Sequence, residues 1–468
     1  MSTPASSATV SRGHWSSRFG FILAAAGSAI GLGNIWRFPY TAGANGGGAW
    51  VLLYLLFVLA IGVPVLLCEL SVGRHTQRSP VSAFKALVPG TWWPVVGAIG
   101  VLAGFGILSF YSVIAGLTVG YVYLSLTGRF AAAIDAETSA EIFGSVASNG
   151  PLIAALTGFF LLATALIVRR GVSGGIERAS RILMPIFFGF LVLLVVRALT
   201  LPGGAEGFAF MFNPDFSKMT IGGAVSALGQ ALFSLSLGMG AMITYGSYLS
   251  KDENIPISAA SVATFDTSIA MLGGLIVFPT LFTVGASPTA GPGLIFVVMA
   301  SIFNTLPLGG VFSVAFYTLL AIAALTSTIS LLEVIVSYFV DDRGMARGKA
   351  AWLVAAGCFV LALPSALSLG AVGPLSNLLG ERFSEIAGGS GFLDLANFVF
   401  GTIFLTVGAM LICIFVGWKW GIPAARAAIE TGGHRLPGAP LWGFVVRYVC
   451  PLATLILLLY GVFVGSNW

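Results

Sequence analysis

The chain has 468 residues, 57% of them hydrophobic and only 8% charged, with a mean hydropathy of +0.99, whereas soluble domains carry roughly 25% charged residues. The net charge of +5 does not point to nucleic acid, because the basic residues sit at the ends of apolar runs rather than in one patch. With His14, His75 and His434 as its only histidines, all near such ends, the chain is poorly equipped for enzyme chemistry.

Eleven apolar runs of about spanning length follow one another at 18–43, 49–72, 91–126, 150–168, 180–201, 222–249, 259–284, 305–340, 351–371, 392–418 and 442–465. They predict an all-α integral membrane protein of about eleven transmembrane helices. The polar residues before the first run are not followed by a short apolar core and a small-residue cleavage pattern, so no signal peptide is evident. If the N-terminus is cytoplasmic, most of the 22 Lys and Arg residues fall on the inner side, and the outer side keeps only Arg129, Arg197, Lys218 and Arg382. That asymmetry predicts a cytoplasmic N-terminus, and an odd helix count then puts Trp468 outside. Cys68, Cys358, Cys413 and Cys450 all lie in apolar segments, where a thiol serves as a small filler.

Two of the runs are interrupted by glycine: the first at Gly27-Ser28-Ala29-Ile30-Gly31-Leu32-Gly33-Asn34, the sixth at Ser234-Leu235-Ser236-Leu237-Gly238-Met239-Gly240. Unwound backbone inside a bilayer costs several kcal/mol per unsatisfied group, so paired breaks predict a polar solute or ion bound near the midplane. Helices one and six open two comparable five-helix blocks, 15–201 and 220–418, which begin on opposite sides of the membrane. This predicts a 5+5 inverted repeat with broken helices one and six. Around it lie a cytoplasmic N-terminal segment (1–14), an extracellular loop (202–219), a cytoplasmic loop (419–441) and a peripheral eleventh helix with an extracellular C-terminus (442–468).

The run from Arg18-Phe19-Gly20 through Gly31-Leu32-Gly33-Asn34-Ile35-Trp36-Arg37-Phe38-Pro39-Tyr40, followed by Asn45-Gly46-Gly47-Gly48, closely resembles the first helix of the neurotransmitter:sodium symporter family, in its bacterial amino-acid transporter branch. So do Gln230-Ala231-Leu232-Phe233-Ser234-Leu235-Ser236-Leu237-Gly238, Gly175-Ile176-Glu177-Arg178-Ala179-Ser180 leading to Pro185, and Leu325-Thr326-Ser327. The resemblance covers nearly the whole chain. It implies two sodium sites: a first formed by Ala29, Asn34, Ser234 and Asp266, and a second formed by Gly27, Ile30, Ala323, Thr326 and Ser327. Taken alone, Thr326 and Ser327 would be read as bonding back to their own helix. The implied substrate pocket comprises Ala29, Gly31, Gly33, Ile107, Tyr111, Phe233, Ser234, Ser236, Met239, Ser327 and Leu331. Its bulky apolar wall suits a hydrophobic side chain, and Gly31 leaves room for a substrate carboxylate where monoamine-carrying relatives place an aspartate.

Asp266 stands where many relatives, including chloride-dependent ones, carry asparagine, and Ala270 one turn later offers no hydroxyl; no chloride is expected. At the outer gate the resemblance stacks Tyr111 and Phe233 over the substrate and pairs Arg37 with an acid, but the matching position is Asn397, with Asp394 nearby. At the inner gate it pairs Arg12 with Asp341, flanked by Trp15 and Tyr248. Glu69 is assigned to holding the unwound backbone of helix six, Gly175 and Pro185 to unwinding of helix five, and Glu333 has no assignment. The implied function is sodium-coupled import of neutral, hydrophobic L-amino acids by alternating access in a bacterial inner membrane, with no nucleic acid and no obligate protein partner. A β- or γ-amino acid such as taurine or GABA remains open as substrate, as does a non-transporting sensor; a channel lacks the polar path it needs.

Overall fold

The apolar patterning resolves into helices throughout, in a computed structural model that describes residues 13–129, 135–288 and 291–465. Among the described residues nine helices are long and apolar enough to cross a bilayer, and the bent pair Arg18–Ala29 and Gly33–Ala44, at 51°, makes a tenth span. The sixth span is likewise divided, into Ile221–Ser234 and Ala241–Gly246. At 1.5 Å per residue the longer piece reaches only about 21 Å, short of a hydrocarbon core of about 30 Å; both pieces are needed to cross. Large apolar side chains such as Leu59, Phe159, Val360 and Phe463 are exposed, as a lipid-facing surface requires.

The third span, Pro94–Leu126, and the eighth, Gly309–Arg343, form the most extensive packing pair, backed by Gly150–Val168 and Arg347–Leu367. Small residues make this close approach possible: a Cβ on Gly100 would lie 3.2 Å from the Gly240 nitrogen, so the third span presses directly on the broken part of the sixth. The first span packs against the fifth, seventh (Ile255–Thr283) and eighth, and so sits in the middle of the bundle. The last span, Ala439–Phe463, packs mainly on the tenth, Phe392–Ile429, as a peripheral helix does.

Three boundaries differ from the sequence expectation. The fifth span starts at Val172, not 180, because Val172–Glu177 forms a wide π-helical turn that carries Gly174 and Gly175 within the helix. The loop expected at 202–219 contains the helix Gly204–Phe212, and that expected at 419–441 contains Ile422–Ile429. Gly-rich and polar stretches read as punctuation in a sequence; here packing against neighbouring spans keeps them wound.

Candidate functional site

The alanine-rich helix Arg18–Ala29 ends because Ile30 turns to an extended conformation (ψ 107°), and the chain rewinds at Gly33 as a π turn through Arg37. Several backbone groups freed at the break find partners. The Gly31 N–H donates to Asn34 Oδ1 (3.0 Å) and the Leu32 N–H to the Tyr111 hydroxyl (2.9 Å). The Ser28 carbonyl accepts from Ser236 Oγ (3.0 Å) and Ser327 Oγ (3.3 Å), and the Ile30 carbonyl from Ser327 Oγ (3.3 Å). In the sixth span, Ser236, Gly238 and Gly240 adopt φ of 54°, 80° and 75°, a left-handed region that ends the helix. Glu69 Oε1 takes the Gly238 N–H at 2.7 Å, and Gln230 Nε2 donates to the Gly33 carbonyl at 2.9 Å, tying the two breaks together.

Two clusters of oxygen donors flank the breaks. In the first, Asn34 Nδ2 donates to Asp266 Oδ1 (2.7 Å), to the Asp266 carbonyl (3.0 Å) and to Ser234 Oγ (3.1 Å), while Ser234 Oγ donates to Asp266 Oδ2 (2.7 Å). Asp266 is wholly buried, and among the described residues no basic side chain pairs with it. A buried carboxylate held only by neutral donors is costly unless a cation joins it, and hard cations take oxygen ligands; the donor set fits one. In the second, Thr326 Oγ1 donates to the carbonyls of Ala323 (2.9 Å), Ile322 (3.3 Å) and Ile30 (3.5 Å). Thr326 thus leans on its own helix, as membrane threonines do, whereas Ser327 reaches across to the first span. Gly27 packs against the same threonine, a Cβ there meeting Thr326 Cβ at 3.3 Å.

Between the clusters is a small cavity of about 30 Å³ whose walls include every residue expected in the substrate pocket: Ala29, Gly31, Gly33, Ile107, Tyr111, Phe233, Ser234, Ser236, Met239, Ser327 and Leu331. Ser28 and Ser330 line it as well, which the sequence reading missed because a serine in an apolar helix looks like filler. Gly31 has no room for a side chain: a Cβ would come within 2.5 Å of Ser327 Oγ and 2.8 Å of the Tyr111 hydroxyl.

At one end of the cavity the Arg37 guanidinium lies 4.3 Å above the Phe233 ring, a cation–π contact. Among the described residues no carboxylate reaches Arg37. The expected alternative partner, Asp394, instead accepts the Gly391 N–H (3.0 Å) at the start of the tenth span, a helix-start role that its spacing favours. Asn397 lies in the π-helical turn Asn397–Phe404, against Gly401.

At the other end Arg12 lies outside the described residues, and Asp341 Oδ2 accepts the Ser79 N–H at 2.6 Å. Trp15 donates through Nε1 to the Tyr245 carbonyl (3.1 Å) and through its backbone to the Tyr248 carbonyl (3.3 Å). The Tyr248 hydroxyl donates to Glu333, and Arg347 pairs with the other oxygen of that carboxylate. Glu333 thereby gains the place that the sequence left blank. Breaking a buried pair costs about 3–5 kcal/mol because the remaining charge is stranded. Arg347→Ala should therefore lower the thermal midpoint clearly, and Glu333→Gln added to it should recover much of the loss; an equal loss in both variants would contradict the pairing.

The fifth span is wound in this structure, with Gly175 inside its first turn and Pro185 inside the helix. Next to Gly175, Glu177 accepts the Ser16 N–H (2.8 Å) and the Ser16 hydroxyl (2.6 Å), and pairs with Arg181 at 2.6 Å. The short Glu177-to-Arg181 spacing hints at that pair; nothing local announces Ser16.

Broken spans around a central cavity with oxygen clusters beside it are the arrangement of a multi-pass membrane transporter. The profile of the Sodium:neurotransmitter symporter family matches residues 12–141 and 134–466, and the chain belongs to that family. It is 39% identical over 448 residues to the "Uncharacterized sodium-dependent transporter YhdH" of Bacillus subtilis, covering 95% of this chain and 96% of the relative. An "Uncharacterized sodium-dependent transporter" of Haemophilus influenzae is 35% identical over 460 residues, covering 96% and 98%. Among solved structures, MhsT in complex with L-phenylalanine superposes with a TM-score of 0.87 at 43% identity, covering 96% of this chain and all of that one. These relatives are transporters, and this family is not one of enzymes.

Proposed function

We propose that this chain is a sodium-coupled symporter that imports neutral, hydrophobic L-amino acids by alternating access and without chloride. The observation that carries the reading is Asp266, a buried carboxylate bonded to the neutral side chains of Asn34 and Ser234, the latter lining a cavity whose walls are mostly apolar. A sodium ion there takes oxygens from Asp266, Ser234 and the Ala29 carbonyl, and Asn34 joins them by turning its amide oxygen inward. A second ion takes the carbonyls of Gly27, Ile30 and Ala323 with the hydroxyls of Thr326 and Ser327. The substrate carboxylate takes its place beside the first ion and the N-terminus of the rewound helix, where Gly31 brings no side chain and the Ser327 and Tyr111 hydroxyls stand close by. The structure of MhsT with L-phenylalanine supports the choice of a hydrophobic amino acid.

The end of the bundle where the chain enters at Arg18 is read as cytoplasmic, from the placement of basic residues, in a bacterial inner membrane. Trp15, Tyr248, Asp341 and the Glu333–Arg347 pair then close the inner side, and Arg37 over Phe233, with Tyr111, the outer one. Helix five admits water to the second ion when its start unwinds between Gly175 and Pro185.

The deciding experiment is uptake of labelled leucine, phenylalanine or tryptophan into proteoliposomes under a sodium gradient. Accumulation above the external concentration is expected, lost in an Asn34→Ala, Thr326→Ala double variant. Equilibration without accumulation would indicate a channel, binding without uptake a sensor, and sodium-independent binding by the double variant would remove both assigned sites.

A further inference from the structure

Among the described residues, one residue of the cavity wall carries a hydroxyl that neither cluster uses and that has no partner, whereas the Tyr111 hydroxyl takes the Leu32 N–H. Ser28 lines the cavity and is only 2% exposed, yet its hydroxyl has no hydrogen-bond partner among the described residues. Its carbonyl is already doubly engaged by Ser236 and Ser327, so the hydroxyl is what Ser28 still has to offer. The other cavity hydroxyls are committed: Ser234 to Asp266, Ser236 to the Ser28 carbonyl, Ser327 to the first span, and Ser330 to the Ser327 carbonyl at 2.8 Å. The surrounding wall of Met239, Leu331 and Ile107 is apolar.

We propose that Ser28 is a specificity-determining residue, its hydroxyl bonding a single polar group carried on an otherwise apolar, aromatic substrate side chain, as the indole N–H of tryptophan is. This rests on the transport reading above and sharpens it. A serine hydroxyl both donates and accepts, so it can serve an N–H or an O–H, and a hydrocarbon side chain packed against it leaves it unpaired. Sites built around a buried hydrogen-bonding group reject analogues that lack the matching group, because that group is then stranded. The carboxylate end of the substrate is served by the first ion and the rewound helix, which leaves Ser28 to the side chain.

The test compares tryptophan with 3-benzothienylalanine, in which sulfur replaces the indole N–H at nearly constant shape, as competitors for sodium-dependent binding to the purified full-length protein. The native protein is expected to favour tryptophan about tenfold, the range of one buried hydrogen bond. Ser28→Ala should bring the ratio close to one, and Ser28→Thr, which keeps the hydroxyl, should retain the preference and stands as the folded control. A tryptophan preference that survives in Ser28→Ala overturns the assignment, as does equal binding by the native protein. If Ser28 serves the substrate ammonium instead, both competitors weaken together and the ratio is unmoved, which also overturns it. Failure of both compounds to compete removes this inference together with the hydrophobic-substrate reading, whereas the former outcomes leave that reading intact.

Discussion

Asp266→Asn should reduce sodium-driven uptake in chloride-free medium by at least about a hundredfold, while the native protein should transport at nearly the same rate in chloride and in gluconate. On the proposed function, two sodium ions would bring two positive charges into a low-dielectric site and a zwitterionic substrate none, and Asp266 would offset one of them permanently. Each tenfold loss corresponds to about 1.4 kcal/mol, and removing one partner of a buried charge interaction costs about 3–5 kcal/mol. The amide keeps one oxygen to accept from Asn34 Nδ2, but its NH2 replaces the oxygen that now accepts from Ser234 Oγ at 2.7 Å. Initial rates at a fixed sodium gradient measure the effect. Native uptake that collapses in gluconate and returns with chloride, or a variant that transports normally without chloride, would show that Asp266 does not supply the compensating charge.

Gly238→Ala should be the most damaging single-methyl change in the sixth span. Gly238 has φ of 80°, where a Cβ costs roughly 1–2 kcal/mol, and the added carbon would lie 2.1 Å from the Leu405 carbonyl oxygen. That neighbour is backbone in the tenth span and cannot swing aside, so the two spans must separate or the break must refold. The Gly238 N–H also donates to Glu69, and a shift would strand that carboxylate. Loss of monodisperse protein, or a strongly lowered thermal midpoint with no substrate binding, is expected. A variant with native stability and uptake would mean that the broken segment has a softer geometry than the one described.

Much of this architecture was legible in the sequence because membrane physics leaves few choices: apolar length fixes the spans, and glycines within an apolar run mark where backbone is freed. The pocket residues were legible only through resemblance, since Ile107, Met239 and Leu331 alone are indistinguishable from core. What stayed hidden depended on contacts between distant segments. Glu333 meets Tyr248 and Arg347 from different helices, and no local spacing announces either. Asp394 carried a local signal, a carboxylate three residues into a helix after Gly391, but was weighed as a gate partner for Arg37. The apolar run begins only at 180, whereas the fifth helix begins at Val172, because the chain absorbs Gly174 and Gly175 in a π turn.

That π turn ends on Glu177, whose carboxylate occupies the space a side chain at Gly20 would need, with its Oε1 1.9 Å from where a Cβ would stand. The same carboxylate holds Ser16, just ahead of the first helix. The beginning of helix one and the beginning of helix five are therefore fastened by one group, and neither can travel far while that group keeps its partners. Any movement of one helix start against the other must first break the contacts that Glu177 makes with Ser16 and beside Gly20.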